Sequence, residues 1–123
     1  MYGYVKVGSA VPKLRVADCV YNKEEILKLV EAAAAKQVRV LSFPELSVTG
    51  YTCADLFFQT PLLHAAEQAI QEIAEATEAL NIFLLIGAPI AVDNQMFNCA
   101  VALYKGKLLG IVPKTHIPNY SEF

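Results

Sequence analysis

The chain has 123 residues, of which 55% are hydrophobic and 18% charged, and its formal net charge is −2 at pH 7. That length suits one domain, and the apolar content excludes a disordered chain. No apolar run approaches the ~18 uncharged residues of a transmembrane helix, and the charge provides no basic surface for nucleic acid or lipid, which leaves small-molecule chemistry or protein contacts.

The N-terminal segment and the cysteines bear on the compartment. Residues 1–7 lack a basic segment followed by a long apolar core, so we expect a first strand and not a signal peptide. Cys19, Cys53 and Cys99 are an odd set without the CxxC spacing of a zinc site. We therefore expect a cytoplasmic protein whose cysteines are reduced and mostly structural.

The first half of the chain predicts strand, helix, strand and helix, over 4–10, 22–36, 38–42 and 61–80. Asn22, with Glu25 three residues later, forms a capping box that predicts the start of the first helix. The β-branched run at 38–42 suits a buried strand. Pro61 suits the first turn of the second helix.

The second half predicts three strands, over 82–88, 97–104 and 107–112. The run 82–88 is continuously apolar, so both faces of that strand should be buried. Pro89 and Pro113 are expected to end the strands that precede them. The dipeptide 105–106, Lys-Gly, predicts a tight hairpin loop. The predicted fold class is therefore α/β, with the order β-α-β-α-β-β-β.

The connections bring two charged residues to one edge of the predicted sheet. Crossovers through a helix leave strands parallel and short turns leave them antiparallel, so strands two and five point the same way. Glu45 follows strand two and Lys114 follows strand five. Ligands of open α/β sheets collect beyond the carboxyl ends of the strands. We predict that the carboxylate and the ammonium lie within roughly 4 Å, where they can take a proton and stabilise an oxyanion.

The same spacing also fits plainer interpretations. Glu45 and Lys114 can be a surface ion pair or two unrelated loop residues, because most charged side chains are solvated. Tyr51 and Tyr120, each six residues after a charged candidate, can line one pocket or be ordinary half-buried tyrosines. Glu122 can support the lysine or be a solvated residue near the chain end.

Other reactive residue types give weaker signals. Cys53 lies nearest to the glutamate, but cysteine is among the most buried residue types. His64 and His116 have no partners at metal-ligand spacing, so no metal site is predicted. The six glycines do not cluster, so the chain has no glycine-rich phosphate loop.

Two long motifs resemble those of a known superfamily. The run 43–51, FPELSVTGY, resembles the glutamate motif of the nitrilase, or carbon-nitrogen hydrolase, superfamily, and the run 113–123, PKTHIPNYSEF, resembles its lysine motif. Within it, the continuation 52–57, TCADLF, is similar to the glutaminase domain of glutamine-dependent NAD synthetases. The resemblance implies an α-β-β-α sandwich, of which this chain supplies roughly the first half.

The resemblance also implies a Glu-Lys-Cys triad. Glu45 matches the general base, and Lys114 matches the residue that stabilises the tetrahedral intermediates, with Glu122 in support. Tyr51 and Tyr120 match tyrosines implicated in the glutamine pocket.

The third member of the triad is a cysteine that follows the lysine motif at a distance. It attacks the amide carbon and forms a thioester while ammonia leaves. Because Cys53 precedes the lysine motif, the resemblance implies that Cys53 is not the nucleophile. No cysteine follows Lys114 in these 123 residues.

The domain organisation and partners follow from the same resemblance. Residues 1–123 are expected to be the N-terminal portion of a glutaminase domain, without the nucleophile-bearing half or the synthetase domain, and inactive alone. The whole protein would hydrolyse glutamine to glutamate and ammonia, and the ammonia would amidate nicotinic acid adenine dinucleotide. This chain itself needs no cofactor, while the synthetase domain would use ATP and magnesium, in a homo-oligomer.

Two alternatives remain open at this point. The first is a stand-alone carbon-nitrogen hydrolase that acts on another amide or a nitrile. The second is an inactive domain of the same fold that is kept for protein contacts. A cysteine at the expected later position separates the enzymes from the inactive domain.

Overall fold

The computed structural model describes residues 5–50, 60–93 and 95–117 of the chain. Within these ranges, two helices and five strands follow one another in the predicted order. The elements are β1 (Val7–Ser9), α1 (Cys19–Ala35), β2 (Val40–Ser42), α2 (Thr60–Ala76), β3 (Phe83–Val92), β4 (Gln95–Tyr104) and β5 (Lys107–Ile117). The predicted order β-α-β-α-β-β-β and the α/β class are therefore confirmed.

The five strands form one sheet in the order β1-β2-β3-β4-β5. The first three strands are parallel, and β4 and β5 each pair antiparallel with the strand before them. Because two reversals restore the original direction, β5 runs the same way as β2. The carboxyl ends of β2 and β5 therefore point to the same edge, as the connection lengths predict.

The core lies between the two helices and the sheet. Fully buried side chains come from α1 (Ile26 and Val30), α2 (Ile73) and β3 (Leu84 and Ile86). The residues of α1 are four apart and those of β3 are two apart. α1 thus buries one face at the helical period of 3.6 residues. In β3 both faces are buried over residues 86–89, as the continuous apolar run predicts, whereas Phe83 and Leu85 are half-buried.

The start of α1 differs from the prediction because another residue caps the helix. Asp18 is the N-cap, and its Oδ1 accepts a hydrogen bond from the Tyr21 N–H at 3.0 Å. Asn22 lies inside the helix and is fully buried. The capping box of Asn22 and Glu25 was therefore wrong, because the side chain of Asn22 is used in contacts outside its helix.

The end of α2 also differs from the prediction. The helix ends at Ala76 and a turn follows, whereas the sequence predicted a helix to Leu80. The Thr77 hydroxyl donates to the Ile73 carbonyl at 2.8 Å. Such bonding from a threonine to the preceding turn competes with the helical backbone and favours its termination.

Two strands continue through the prolines that were predicted to end them. The N–H and C=O of Gly87 bond to the segment that follows β2. Backbone groups of alternate residues in a strand point to the same side, so the backbone of Pro89 faces the same side as that of Gly87. β2 has already ended there, opposite Leu85, and the missing N–H of Pro89 costs no ladder bond. Pro113 lies on an edge strand beside an irregularity of the pairing, where proline is tolerated.

The hairpin between β4 and β5 confirms the predicted turn. Lys105 and Gly106 both have positive φ, at 51° and 83°. Left-handed conformations at both central residues define the two-residue turn whose twist matches that of the flanking strands. The tight connection places Tyr104 opposite Lys107, the first pair of the hairpin.

An ion pair joins the two helices on the outer surface. Lys23 Nζ lies 2.7 Å from Glu72 Oε1. This hydrogen-bonded pair raises the pKa of Lys23 and lowers the pKa of Glu72. The lowered pKa of Glu72 contributes stability above the ordinary glutamate pKa, and that contribution is lost as the pH falls through the folded-state pKa. The raised pKa of Lys23 contributes below the ordinary lysine pKa, and that contribution is lost as the pH rises through the folded-state pKa.

We expect Glu72→Gln to lower the thermal midpoint slightly at pH 7, because a partly exposed pair is a weak interaction. The difference from the parent protein should shrink as the pH falls through the lowered folded-state pKa of Glu72, where the carboxylate becomes protonated in the folded state as well. Thermal unfolding followed by circular dichroism across pH 2–8 measures it. Glu75→Gln, at an exposed position of the same helix, is the matched control. If the thermal midpoints of Glu72→Gln and the parent protein differed by the same amount at every pH, the ion pair would not be the source of the difference.

Candidate functional site

A cavity of about 370 Å³ lies beside the segment that follows β2. Its apolar lining includes Leu85, Ala100 and Val112 from β3, β4 and β5. Among the described residues of the lining, Glu45 and Lys114 carry the charges. The structure therefore brings the two predicted residues, which are distant in the sequence, to one cavity at one edge of the sheet.

The direct ion pair predicted between Glu45 and Lys114 is not formed. Both side chains are exposed, so each is hydrated and gains little from closing the distance. Among the described residues, the ion pairs within 4.0 Å are those of Lys23 with Glu24 and Glu72 and of Lys28 with Glu25. The carboxylate and the ammonium thus share a cavity without neutralising each other.

Glu45 stands on a turn whose following residues are all buried. It is exposed, whereas residues 46–50 are buried. Leu46 has a φ of +54°, a left-handed conformation that is uncommon for a bulky residue and persists only where the surroundings enforce it. The N–H groups of Thr49 and Gly50 both donate to the Leu46 carbonyl, at 3.2 and 2.7 Å. The carboxylate of Glu45 is therefore exposed to solvent, while the turn that carries it is conformationally constrained.

This turn replaces β2 as the neighbour of β3. β2 ends opposite Leu85, and from there the Phe43 N–H donates to the Leu85 carbonyl at 2.9 Å. The Val48 N–H donates to the Gly87 carbonyl at 3.1 Å, and Ser47 Oγ accepts from the Gly87 N–H at 3.3 Å. The polar groups of β3 that lose their strand partner are thus paired by the turn.

Asn22 connects the turn to α1. Its Nδ2 donates to the carbonyls of Val48 and Arg15, at 2.8 and 2.9 Å, and its Oδ1 accepts from the Arg15 N–H at 2.7 Å. Sequence reasoning missed this role. The available signal was the spacing, because Asn22 precedes Ile26 and Val30 by four and eight residues and so lies on the buried face of the helix.

We expect Asn22→Ala to lower the free energy of unfolding by about 3 kcal/mol, because it leaves the Arg15 N–H and the fully buried Val48 carbonyl unpaired, while the Arg15 carbonyl keeps its bond from the Asp18 N–H. Urea unfolding followed by circular dichroism measures the change. Asn81→Ala is the control, since it removes one exposed hydrogen bond and should cost at most about 1 kcal/mol. Equal effects of the two substitutions would contradict an anchoring role for Asn22.

Lys114 lies within β5 and not beyond its end, which corrects the prediction. Pro113 pairs with Cys99 and Thr115 pairs with Asn98, so Lys114 is an extra residue between two successive pairs. Such a β-bulge bends the strand and changes the direction of a side chain, and bulges are frequent next to active sites. An irregularity of the strand, rather than its end, thus brings Lys114 to the cavity.

Cys99 also lines the cavity, in a form that suits a structural role. Its exposed fraction is 2%, and its thiol lies 3.6 Å from the Phe97 carbonyl. Burial raises the pKa of the thiol, so the thiolate is scarce at neutral pH. Cys99 is therefore a poor nucleophile as it is placed.

Four residues of the sequence prediction lie outside the described residues. These are Tyr51, Cys53, Tyr120 and Glu122. Their predicted roles remain predictions. Within the described part of the chain, no three histidine, cysteine or acidic residues gather to hold a metal ion. In the same part, neither helix has the length and apolarity needed to cross a membrane.

Comparison with protein families identifies the chain. The sequence profile described as carbon-nitrogen hydrolase matches residues 6–123. The chain belongs to the carbon-nitrogen hydrolase family. The resemblance seen in the glutamate and lysine motifs is thereby confirmed at the level of the family.

Solved structures agree with the fold of this carbon-nitrogen hydrolase chain. A glutamine-dependent NAD(+) synthetase from Cytophaga hutchinsonii has a TM-score of 0.85 and 29% sequence identity, over 94% of this chain and 20% of that one. An amidase from Nesterenkonia sp. has a TM-score of 0.71 at 22% identity, over 93% of this chain and 44% of that one. The second similarity concerns the fold alone.

Curated relatives of this carbon-nitrogen hydrolase chain are larger proteins. A glutamine-dependent NAD(+) synthetase from Mycobacterium leprae is 34% identical over 121 residues, which are 98% of this chain and 18% of the relative. The chain therefore spans less than a fifth of the length of that relative.

Proposed function

We propose that this chain is the N-terminal portion of a glutaminase domain that releases ammonia from glutamine. The observation that carries the proposal is the cavity that holds Glu45 and Lys114 as separate charges. An acid and a base paired with each other would have to separate before acting on a substrate. Here each can act on a substrate group placed between them.

The chemistry assigned to these two residues is that of amide hydrolysis. Glu45 accepts the proton of a cysteine thiol as its sulfur attacks the amide carbon. Lys114 donates a hydrogen bond to the oxygen on which negative charge develops. The C–N bond then breaks, ammonia leaves with the proton, and water hydrolyses the thioester to glutamate.

The remaining site residues complete the proposal. We assign the glutamine pocket to Tyr51 and Tyr120 and the support of Lys114 to Glu122. The nucleophile would be a cysteine that follows the lysine motif in the whole protein, because the raised pKa of the buried Cys99 disfavours its thiolate. The ammonia would serve ATP-dependent amidation of nicotinic acid adenine dinucleotide in a synthetase domain of a homo-oligomer.

The exposed surface of β5 supports the view that these residues are part of a larger domain. Among the side chains of this edge strand that the structure describes, those of Leu108, Leu109, Ile111 and Val112 are apolar and exposed. Apolar side chains on an exposed edge favour contact with further chain segments or other molecules. The relatives, which are several times longer, agree with such a covering.

Ammonia release tests the proposed function. The product of the full reading frame should convert glutamine to equal amounts of glutamate and ammonia, and the 123-residue chain should release none. Acetamide and propionamide, offered in place of glutamine, should react much more slowly. Ammonia release by the 123-residue chain that is lost in Cys53→Ala or Cys99→Ala would show that the nucleophile has been misplaced.

A further inference from the structure

The turn that carries Glu45 lies directly on the backbone of β3 at Gly87. A Cβ atom at Gly87 would lie 2.4 Å from the Leu46 nitrogen, 2.6 Å from the Pro44 oxygen and 2.8 Å from the Glu45 carbonyl carbon. All three are backbone atoms, and real Cβ atoms essentially never approach another atom within 3.0 Å. Only a residue without a side chain allows this contact.

We propose that Gly87 is the positioning residue for Glu45, an inference that rests on the proposed function of that carboxylate. Because Gly87 has no side chain, the backbone of the turn can lie directly against the backbone of β3, and this contact sets the distance between the turn and the sheet. Its own N–H and C=O then hold the turn through Ser47 and Val48. The same residue therefore supplies both the space and the hydrogen bonds that place Glu45 at the cavity.

The requirement at Gly87 concerns space and not backbone conformation. Gly50 and Gly106 have positive φ, whereas Gly87 does not. An alanine at position 87 is therefore compatible with the strand itself. Its methyl group can be accommodated only if the turn moves away from β3.

The size of that movement follows from the distances. Ordinary contact of a Cβ begins at 3.4 Å, and the Leu46 nitrogen would lie at 2.4 Å, so the turn has to move by about 1 Å. Residues 46–50 are buried and tied to α1 through Asn22, so the turn cannot return Glu45 to its place by a local rotation. A misplacement of about 1 Å at a catalytic group costs about 100-fold in rate.

We expect Gly87→Ala in the product of the full reading frame to lower kcat for glutamine about 100-fold, with KM changed by less than about threefold. Gly110→Ala is the matched control, because it adds the same methyl group to β5, where no atom lies within 4 Å. The control should change kcat less than about twofold. Equal kcat values for the two variants, both folded, would overturn the proposal.

Hydrogen exchange tests the same contact without relying on activity. The Val48 N–H bonds to the Gly87 carbonyl across the contact between the turn and β3, so it should exchange faster in Gly87→Ala. The amides of Ile26 and Ile73, in the two helices, should be unchanged. If the parent protein releases no ammonia, the proposed function fails, while the exchange rates still decide whether Gly87 holds the turn. Unchanged exchange at Val48 overturns the positioning role.

A second variant covers the case in which Gly87→Ala does not fold. Ser47→Ala keeps the space at Gly87 and removes the hydroxyl that accepts the Gly87 N–H. A loss of about tenfold in kcat at unchanged KM, corresponding to one lost hydrogen bond, supports the proposal. An unchanged kcat in this variant counts against it.

Discussion

Replacing Glu45 by glutamine in the product of the full reading frame is expected to lower kcat for glutamine hydrolysis by roughly 10²- to 10⁴-fold. Glutamine has nearly the shape of glutamate, but its amide cannot accept the proton of a thiol. The side chain is exposed and forms no ion pair among the described residues, so the fold should tolerate the change. Steady-state ammonia release at saturating glutamine measures the effect.

The control for this prediction is Glu31→Gln, an exposed glutamate on α1. Both variants should keep the free energy of unfolding within about 0.5 kcal/mol of the parent protein. Only Glu45→Gln should lose activity. If Glu45→Gln retained more than a tenth of the parent kcat, another group would have to be the general base.

The topology follows from the sequence because connection length restricts strand direction. A helix between strands requires a parallel crossover, and the Lys105-Gly106 turn permits only an antiparallel hairpin. The strand ends were harder to predict. Pro89 and Pro113 are compatible with strands here because one faces the side where β2 has ended and the other lies at a bulge on an edge. Neither circumstance is visible without the sheet.

The site was predictable in part. Glu45 follows the short β-branched run at 38–42 after Phe43 and Pro44, and predicting its place at the edge of the sheet required only the strand directions. Asn22 and Gly87 were not found, because local patterns indicate burial and turns but not which distant backbone group a side chain bonds. The predicted ion pair between Glu45 and Lys114 was wrong for a related reason. The sequence indicates that the two residues reach one edge of the sheet, but not that both side chains are exposed at an open cavity.

Replacing Lys114 by methionine is expected to lower kcat for glutamine by roughly 10²- to 10³-fold, the effect of removing one oxyanion donor. Methionine keeps an unbranched side chain of similar length and lacks the ammonium group. The bulge is set by the pairing of Pro113 and Thr115 with β4, so the backbone should be retained. Because the missing interaction belongs to the transition state, KM should change much less than kcat.

The matched control is Lys107→Met, an exposed lysine near the start of the same strand and away from the cavity. It removes the same charge from β5, so a loss of activity shared by both variants would indicate a general electrostatic effect. Lys114→Arg separates charge from geometry, because a planar guanidinium cannot reproduce the position of a compact ammonium. If Lys114 is an accurately placed hydrogen-bond donor, kcat should be low in both Lys114→Met and Lys114→Arg. It should be normal in Lys107→Met. Full activity in Lys114→Arg would reduce the role of Lys114 to that of a nearby positive charge.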